Sequence, residues 1–197
     1  MIARARLLAV VLTLVCGGLG VIASTQPWFT VQLSGAAAHS LAVPGSTAVP
    51  VLAPLSLAAL ALGAALSIAG TVLRIVFGAL EVAIGALLLI ATWPVAVDHP
   101  VSAVARVVTT STGITGDASV AALIARIDAS AWPYVALVLW VLLVLVGVFV
   151  LATARRWRAG GRRYRTDAAP RPSSGPLDAV DSWDDLSRGD DPTDSGR

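Results

Sequence analysis

The sequence predicts an all-α transmembrane protein, a four-helix membrane bundle with both termini inside. Three observations carry that expectation. The 197 residues are 56% hydrophobic and only 13% charged, with a mean hydropathy of +0.80, whereas soluble chains carry about 25% charged residues. Only nine charged side chains precede residue 154, so the first four fifths of the chain holds uncharged runs of bilayer length. The basic residues, 14 Arg and no Lys, are unevenly placed along the chain. This composition excludes an ordinary cytosolic enzyme, a disordered regulator and a disulfide-stapled secreted module. The single cysteine, Cys16, has no intramolecular partner and sits in an apolar run.

The first span is expected over residues 7–24, 18 residues without a charge behind the basic start Arg4 and Arg6. A cleaved signal peptide ending near Ile22-Ala23-Ser24 is the competing reading. The apolar stretch is long for a signal, so an uncleaved span is preferred. Residues 25–50 form the first extracytoplasmic loop. Within it, Trp28-Phe29-Thr30-Val31-Gln32-Leu33 has the aromatic and β-branched content of a strand, and Gly35 and Pro44-Gly45 mark turns.

Residues 51–97 carry only Arg74 and Glu81 as charges over 47 positions. One helix of that length would measure ~70 Å, more than twice a hydrocarbon core of ~30 Å. The segment must fold back, with a bend near Gly70 and Arg74, giving spans over 51–70 and 75–95. The second extracytoplasmic loop covers 98–131. There Asp117 is placed to cap a short helix carrying Val120, Leu123, Ile124 and Ile127 on one face, lying on the membrane surface. The fourth span is residues 134–154, 21 residues without a charge.

Arginine sets the orientation. With the N-terminus inside, the inner segments hold Arg4, Arg6, Arg74 and six Arg between 155 and 165, while the outer loops hold Arg106 and Arg126. The positive-inside rule therefore puts both termini in the cytoplasm and the protein in the cytoplasmic (inner) membrane as a multi-pass chain. Beyond the transmembrane domain (1–154) come a juxtamembrane Arg cluster (155–166) and an acidic, flexible tail (167–197) with eight Asp against three Arg.

Few residues point to chemistry. Glu81 is the only Glu, ~10 Å deep if counted from Arg74 at 1.5 Å per residue. Intramembrane acids face a bundle interior or a wet cavity. Gly78, Glu81 and Gly85 share one helix face, which suits close packing against a second helix. Glu81 with Arg74 is thus either a proton or substrate site or a polar packing contact, and the lack of a second intramembrane acid or base favours packing. Gly63 and Ser67 form a small-xxx-small pair of the helix-contact kind.

Outside the spans, His39, Asp98 and His99 resemble metal ligands, but their spacing matches no metal signature, so no metal is expected. No nucleophile elbow or phosphate-cradling loop is present, so no cofactor and no enzymatic activity are expected. Arg155, Arg156, Arg158, Arg162, Arg163 and Arg165, interleaved with Trp157 and Tyr164, sit where a span ends. They are expected to bind the anionic inner leaflet, at ~1 kcal/mol per Arg, and not nucleic acid. In the tail, Leu177, Val180, Trp183 and Leu186 recur every three residues between acids. This apolar stripe is a candidate dock for a cytoplasmic protein partner, or it folds back on the Arg cluster.

The order of these pieces resembles the tryptophan-biosynthesis-associated membrane proteins, a family of small four-span proteins encoded with tryptophan biosynthesis genes. The resemblance runs through the Arg-Leu-Leu start of the first span, Pro27-Trp28-Phe29-Thr30-Val31, Pro133-Tyr134, and the tail segment Asp181-Ser182-Trp183-Asp184-Asp185-Leu186-Ser187-Arg188-Gly189-Asp190-Asp191-Pro192-Thr193. It implies a link to tryptophan biosynthesis and carries over no catalytic residue. The expected function is a non-enzymatic accessory protein that docks a partner through its tail. A small transporter or export accessory for an aromatic metabolite, working as a homo-oligomer, is the alternative.

Overall fold

The computed structural model describes residues 2–34 and 39–154. Four helices pack side by side: α1 (Ile2–Thr25), α3 (Leu52–Leu66), α4 (Thr71–Asp98) and α7 (Trp132–Thr153). Their buried positions explain why they associate. In α3 these are Leu52, Ser56, Ala59, Gly63 and Leu66. In α4 the row runs Arg74, Gly78, Glu81, Gly85, Leu88, Thr92, Val95. In α7 it runs Ala136, Trp140, Leu143, Gly147, Val150, and in α1 Ala9, Thr13, Cys16, Gly20, Ala23. Every row steps by alternating fours and threes, a mean of 3.5 residues, which keeps one seam turned toward the neighbouring helices in a left-handed bundle.

Small residues set the closeness of these contacts. A Cβ on Gly17 would lie 2.6 Å from the backbone nitrogen of Leu60, and one on Gly147 would lie 2.9 Å from that of Val82. Gly20 faces Ser56, Gly63 faces Leu14 and Gly85 faces Val144. In the pairs α1–α3 and α4–α7 residue numbers rise on one helix as they fall on the other, so both pairs run antiparallel. At one end of the cluster Ala9, Leu66, Val146 and Val150 meet, with Phe77 against them. The start of α1 and the end of α7 therefore lie at the same end.

At the opposite end the chain is not all-α, a correction to the expected fold class. A three-stranded antiparallel sheet of order β2-β1-β3 is built from β1 (Pro27–Leu33), β2 (Ser40–Pro44) and β3 (Ile124–Ala129). Three further helices accompany it: α2 (Gly45–Ala48), α5 (Val101–Thr112) and α6 (Asp117–Leu123). The two expected loops thus join into one folded layer. Its core of Trp28, Phe29, Val31, Leu33, Val43, Val104, Val108 and Val120 is continuous with Leu52, Leu88 and Trp140 of the helices. Trp28 fixes the join: its indole Nε1 donates to the Ala23 carbonyl in the last turn of α1 at 2.8 Å. Ser130 fixes the other side, its N–H donating to Trp28 O (2.9 Å) and its hydroxyl to Pro27 O (2.8 Å).

Two expected elements change. The helical face Val120, Leu123, Ile124, Ile127 is split, because α6 ends at Leu123 and Ile124 starts β3. Ala125 is an extra residue in the ladder: Gln32 pairs with Arg126 but Leu33 with Ile124. That bulge turns Ile124 to the same face as Ile127, so a strand carries a helix-like spacing of three. The second span, expected over 51–70, is a helix of 15 residues, Leu52–Leu66.

Candidate functional site

Glu81 is a carboxyl enclosed within the helical core. It is 1% exposed, and Thr13, across from it on α1, is also 1% exposed. The Thr13 hydroxyl reaches the Glu81 carboxyl, Oγ1 to Oε1 2.5 Å, and also lies 2.9 Å from the Ala9 carbonyl. A hydroxyl has one hydrogen. It donates either to Glu81, satisfying an ionised carboxylate, or to Ala9, in which case a proton on Glu81 completes the second bond. The pair can therefore accommodate Glu81 as carboxylate or as carboxylic acid without moving a helix. The seam places Cys16 one turn further along α1.

Arg74 lies two helical turns before Glu81 on the same seam, in the first turn of α4, and is 2% exposed. Arg6 approaches the same end of the cluster. Its guanidinium donates to the Ser67 carbonyl just past the last turn of α3, where a helix presents orphan carbonyls and partial negative charge. Gly78 and Gly85 flank Glu81 on the seam and face α7 at Val150 and Val144. Gly63 faces Leu14 of α1. Ser67 makes no such contact with a neighbouring helix within the chain. It is an exposed C-cap whose hydroxyl turns back to Ala64 O at 2.6 Å, because α3 has already ended.

The family is decided by the match of its profile along most of the chain, which agrees with helices of bilayer length. Among the described residues three helices are long and apolar enough to cross a membrane, Ala5–Thr25, Thr71–Asp98 and Trp132–Thr153, and the profile of the tryptophan-associated transmembrane protein family matches residues 10–193. The chain belongs to that family. No curated protein and no solved structure matches it. As a tryptophan-associated transmembrane protein it is a membrane protein, mostly helical.

The remaining candidates fall elsewhere. Asp98 ends α4, and His99 caps it in the left-handed region at φ 45°, with its ring edge-on to Phe29 at 5.5 Å. His39 sits at the hairpin, its carbonyl accepting from Leu33 N–H. Among the described residues no three His, Cys, Asp or Glu are grouped as metal ligands. The Arg cluster (Arg155, Arg156, Arg158, Arg162, Arg163, Arg165) and the tail stripe (Leu177, Val180, Trp183, Leu186) lie outside the described residues. Sequence reasoning missed Thr13 as the partner of Glu81. Its signal was a lone hydroxyl between Ala9 and Cys16 on the 3.5-residue seam, visible only once that seam is drawn.

Proposed function

We propose that this tryptophan-associated transmembrane protein is a non-enzymatic membrane anchor and accessory factor of the inner membrane, whose four helices α1, α3, α4 and α7 all span and whose cytoplasmic tail docks a partner of tryptophan metabolism. The observation that carries this is the glycine packing. With Gly17 against the Leu60 backbone and Gly147 against that of Val82, α1–α3 and α4–α7 pack backbone against backbone at these points. Such a core suits a scaffold better than a conduit. Topology supports the fourth span. The starts of α1 and α4 meet at one end of the cluster, so α3, only 15 residues long, is the element that returns the chain between them. At ~22 Å it is short for a ~30 Å core, a mismatch that local thinning accommodates. The arginine count, nine inside against Arg106 and Arg126 outside, favours cytoplasmic termini.

The test is a pull-down with the full chain. Trp183→Ala should lose a protein that the wild type retains, and retention of every partner would count against docking through the tail.

The second reading, a small oligomeric transporter or export accessory for an aromatic metabolite, is favoured by the enclosed Glu81–Thr13 pair. A Glu81→Gln strain with unchanged flux of tryptophan or its precursors removes that support.

A further inference from the structure

The sheet has two edges, and they are not alike. β2 is short and ends on Pro44, which has no N–H to offer, and α2 and α5 approach that strand. The outer edge of β3 is open, with β1 its only strand neighbour among the described residues. The ladder tells which peptide groups that edge presents. Ser130 N–H donates to Trp28 O, and antiparallel hydrogen-bonded pairs alternate. Asp128 and Arg126 therefore direct their N–H and C=O toward β1, and Ile127 and Ala129 direct theirs outward. Open strand edges are templates for another strand.

The side chains on this edge have a symmetry of their own. Arg126 and Asp128 flank Ile127 and project from the outer face of the sheet, 71% and 34% exposed, with Nε and Oδ1 2.5 Å apart. Ile127 and Ile124 lie on the inner face, half-buried against the core. A two-fold axis through Ile127 sets Arg126 opposite Asp128 of the second copy, and Asp128 opposite its Arg126. Both copies then make two cross-strand ion pairs, and the two Ile127 peptides exchange N–H···O bonds at the axis. The flanking pairs are the closer-set, non-hydrogen-bonded type. A strand with two like charges at these positions would set them against each other.

We propose that β3 is the interface of a homodimer, joining two three-stranded sheets into one six-stranded sheet through the Arg126–Ile127–Asp128 edge. The occupant is a second copy of this chain, because an isologous contact needs a self-complementary patch and this one is. Pairing also covers the half-buried Ile124 and Ile127 side chains that β1 leaves at the edge.

The experiment uses the full chain in lipid nanodiscs, with oligomeric state read by mass photometry at graded protein dilution. Wild type should be dimeric. Arg126→Asp alone and Asp128→Arg alone each turn both cross-strand pairs repulsive and should weaken the dimer about tenfold. The double swap, Arg126→Asp with Asp128→Arg, restores opposite charges and should return the dimer to within about threefold of wild type. Ile127→Cys in a Cys16→Ala background should cross-link to itself under mild oxidation, and Thr30→Cys on the central strand should not. A monomeric wild type, or a dimer indifferent to both single reversals, overturns the proposal. Single reversals that weaken the dimer without rescue by the swap also overturn it, since they would reflect damage to the strand and not pairing across the axis.

Discussion

The Glu81 carboxyl on α4 is held by the Thr13 hydroxyl on α1, 68 positions away in the chain and 2.5 Å away in space. The bond ties α1 to α4, the third of the four packed helices, and both partners are buried. Removing the hydroxyl should leave a buried carboxyl short of a partner. Thr13→Val is expected to cost ~1 kcal/mol, the usual scale of a polar contact between membrane helices. Glu81→Gln keeps both a donor and an acceptor and should stay within ~0.5 kcal/mol of wild type. Reversible unfolding in bicelles measures both. In the double variant the cost should stay near that of Thr13→Val alone, because removing the hydroxyl is the change that breaks the bond.

Glycines on the seam should be intolerant where backbone approaches, and tolerant elsewhere. Gly147→Ala puts a methyl 2.8 Å from Val82 Cγ2 and 2.9 Å from its nitrogen. A backbone cannot rotate out of the way, so α4 and α7 must separate, at ~1–3 kcal/mol for overpacking. Gly70→Ala is the control. Nothing lies within 4 Å of its would-be Cβ, and its φ of −72° suits any residue. It should change stability by no more than ~0.5 kcal/mol. Equal effects at the two sites would show that helix proximity is not what the glycines provide.

The helices were legible in the sequence because an apolar run of bilayer length without a charge is at home only in hydrocarbon, and β1 because Trp28 to Leu33 is rich in aromatic and β-branched residues. Three things were hidden. The sheet needed long-range pairing: β1 and β3 meet across nearly a hundred residues, and no local pattern encodes a partner. β3 was masked by its own bulge, since the extra Ala125 gives Ile124 and Ile127 a spacing that helices share. The 3.5-residue seam was hard to see because each row mixes apolar, small and polar members, as in Arg74, Gly78, Glu81, Gly85, Leu88, Thr92. Such rows have little hydrophobic contrast with faces that are themselves apolar. Of the candidate site, Glu81 and its flanking glycines stood out by rarity and spacing, while Thr13 required the tertiary contact.

Trp28 should control whether the sheet-containing layer stays docked. Its side chain is fully buried, its Nε1–H is satisfied by Ala23 O, and Gly45 lies against the ring, where a Cβ would come within 2.5 Å of Nε1. Trp28→Phe loses the hydrogen bond and part of the ring, leaving the Ala23 carbonyl unmet, for ~1–2 kcal/mol. Trp28→Ala empties the site and should cost ~3–5 kcal/mol. Protease nicking within residues 113–116, read on intact proteoliposomes, reports the undocking. It should rise in the order wild type, Trp28→Phe, Trp28→Ala. An unchanged cleavage rate in the alanine variant would mean that the sheet is held by its strands alone.

Topology makes a prediction that rests on charge and on the shared end of α1 and α7. The layer containing Ser111 lies opposite that end, and the inner segments carry nine Arg against two in the layer. Moving Arg-rich segments outward is disfavoured, and long polar tails follow the last span. In a Cys16→Ala background, an impermeant maleimide on intact cells should label Ser111→Cys and leave Ser195→Cys unlabelled. Permeabilisation should then make Ser195→Cys reactive. The reverse pattern would put the Arg cluster and the tail outside, away from any cytoplasmic partner, and would remove the basis for docking through Trp183. Labelling of both sites in intact cells would mean an odd number of crossings. Because α7 is the long helix between the two sites, that outcome would single out α7 as the one that fails to span.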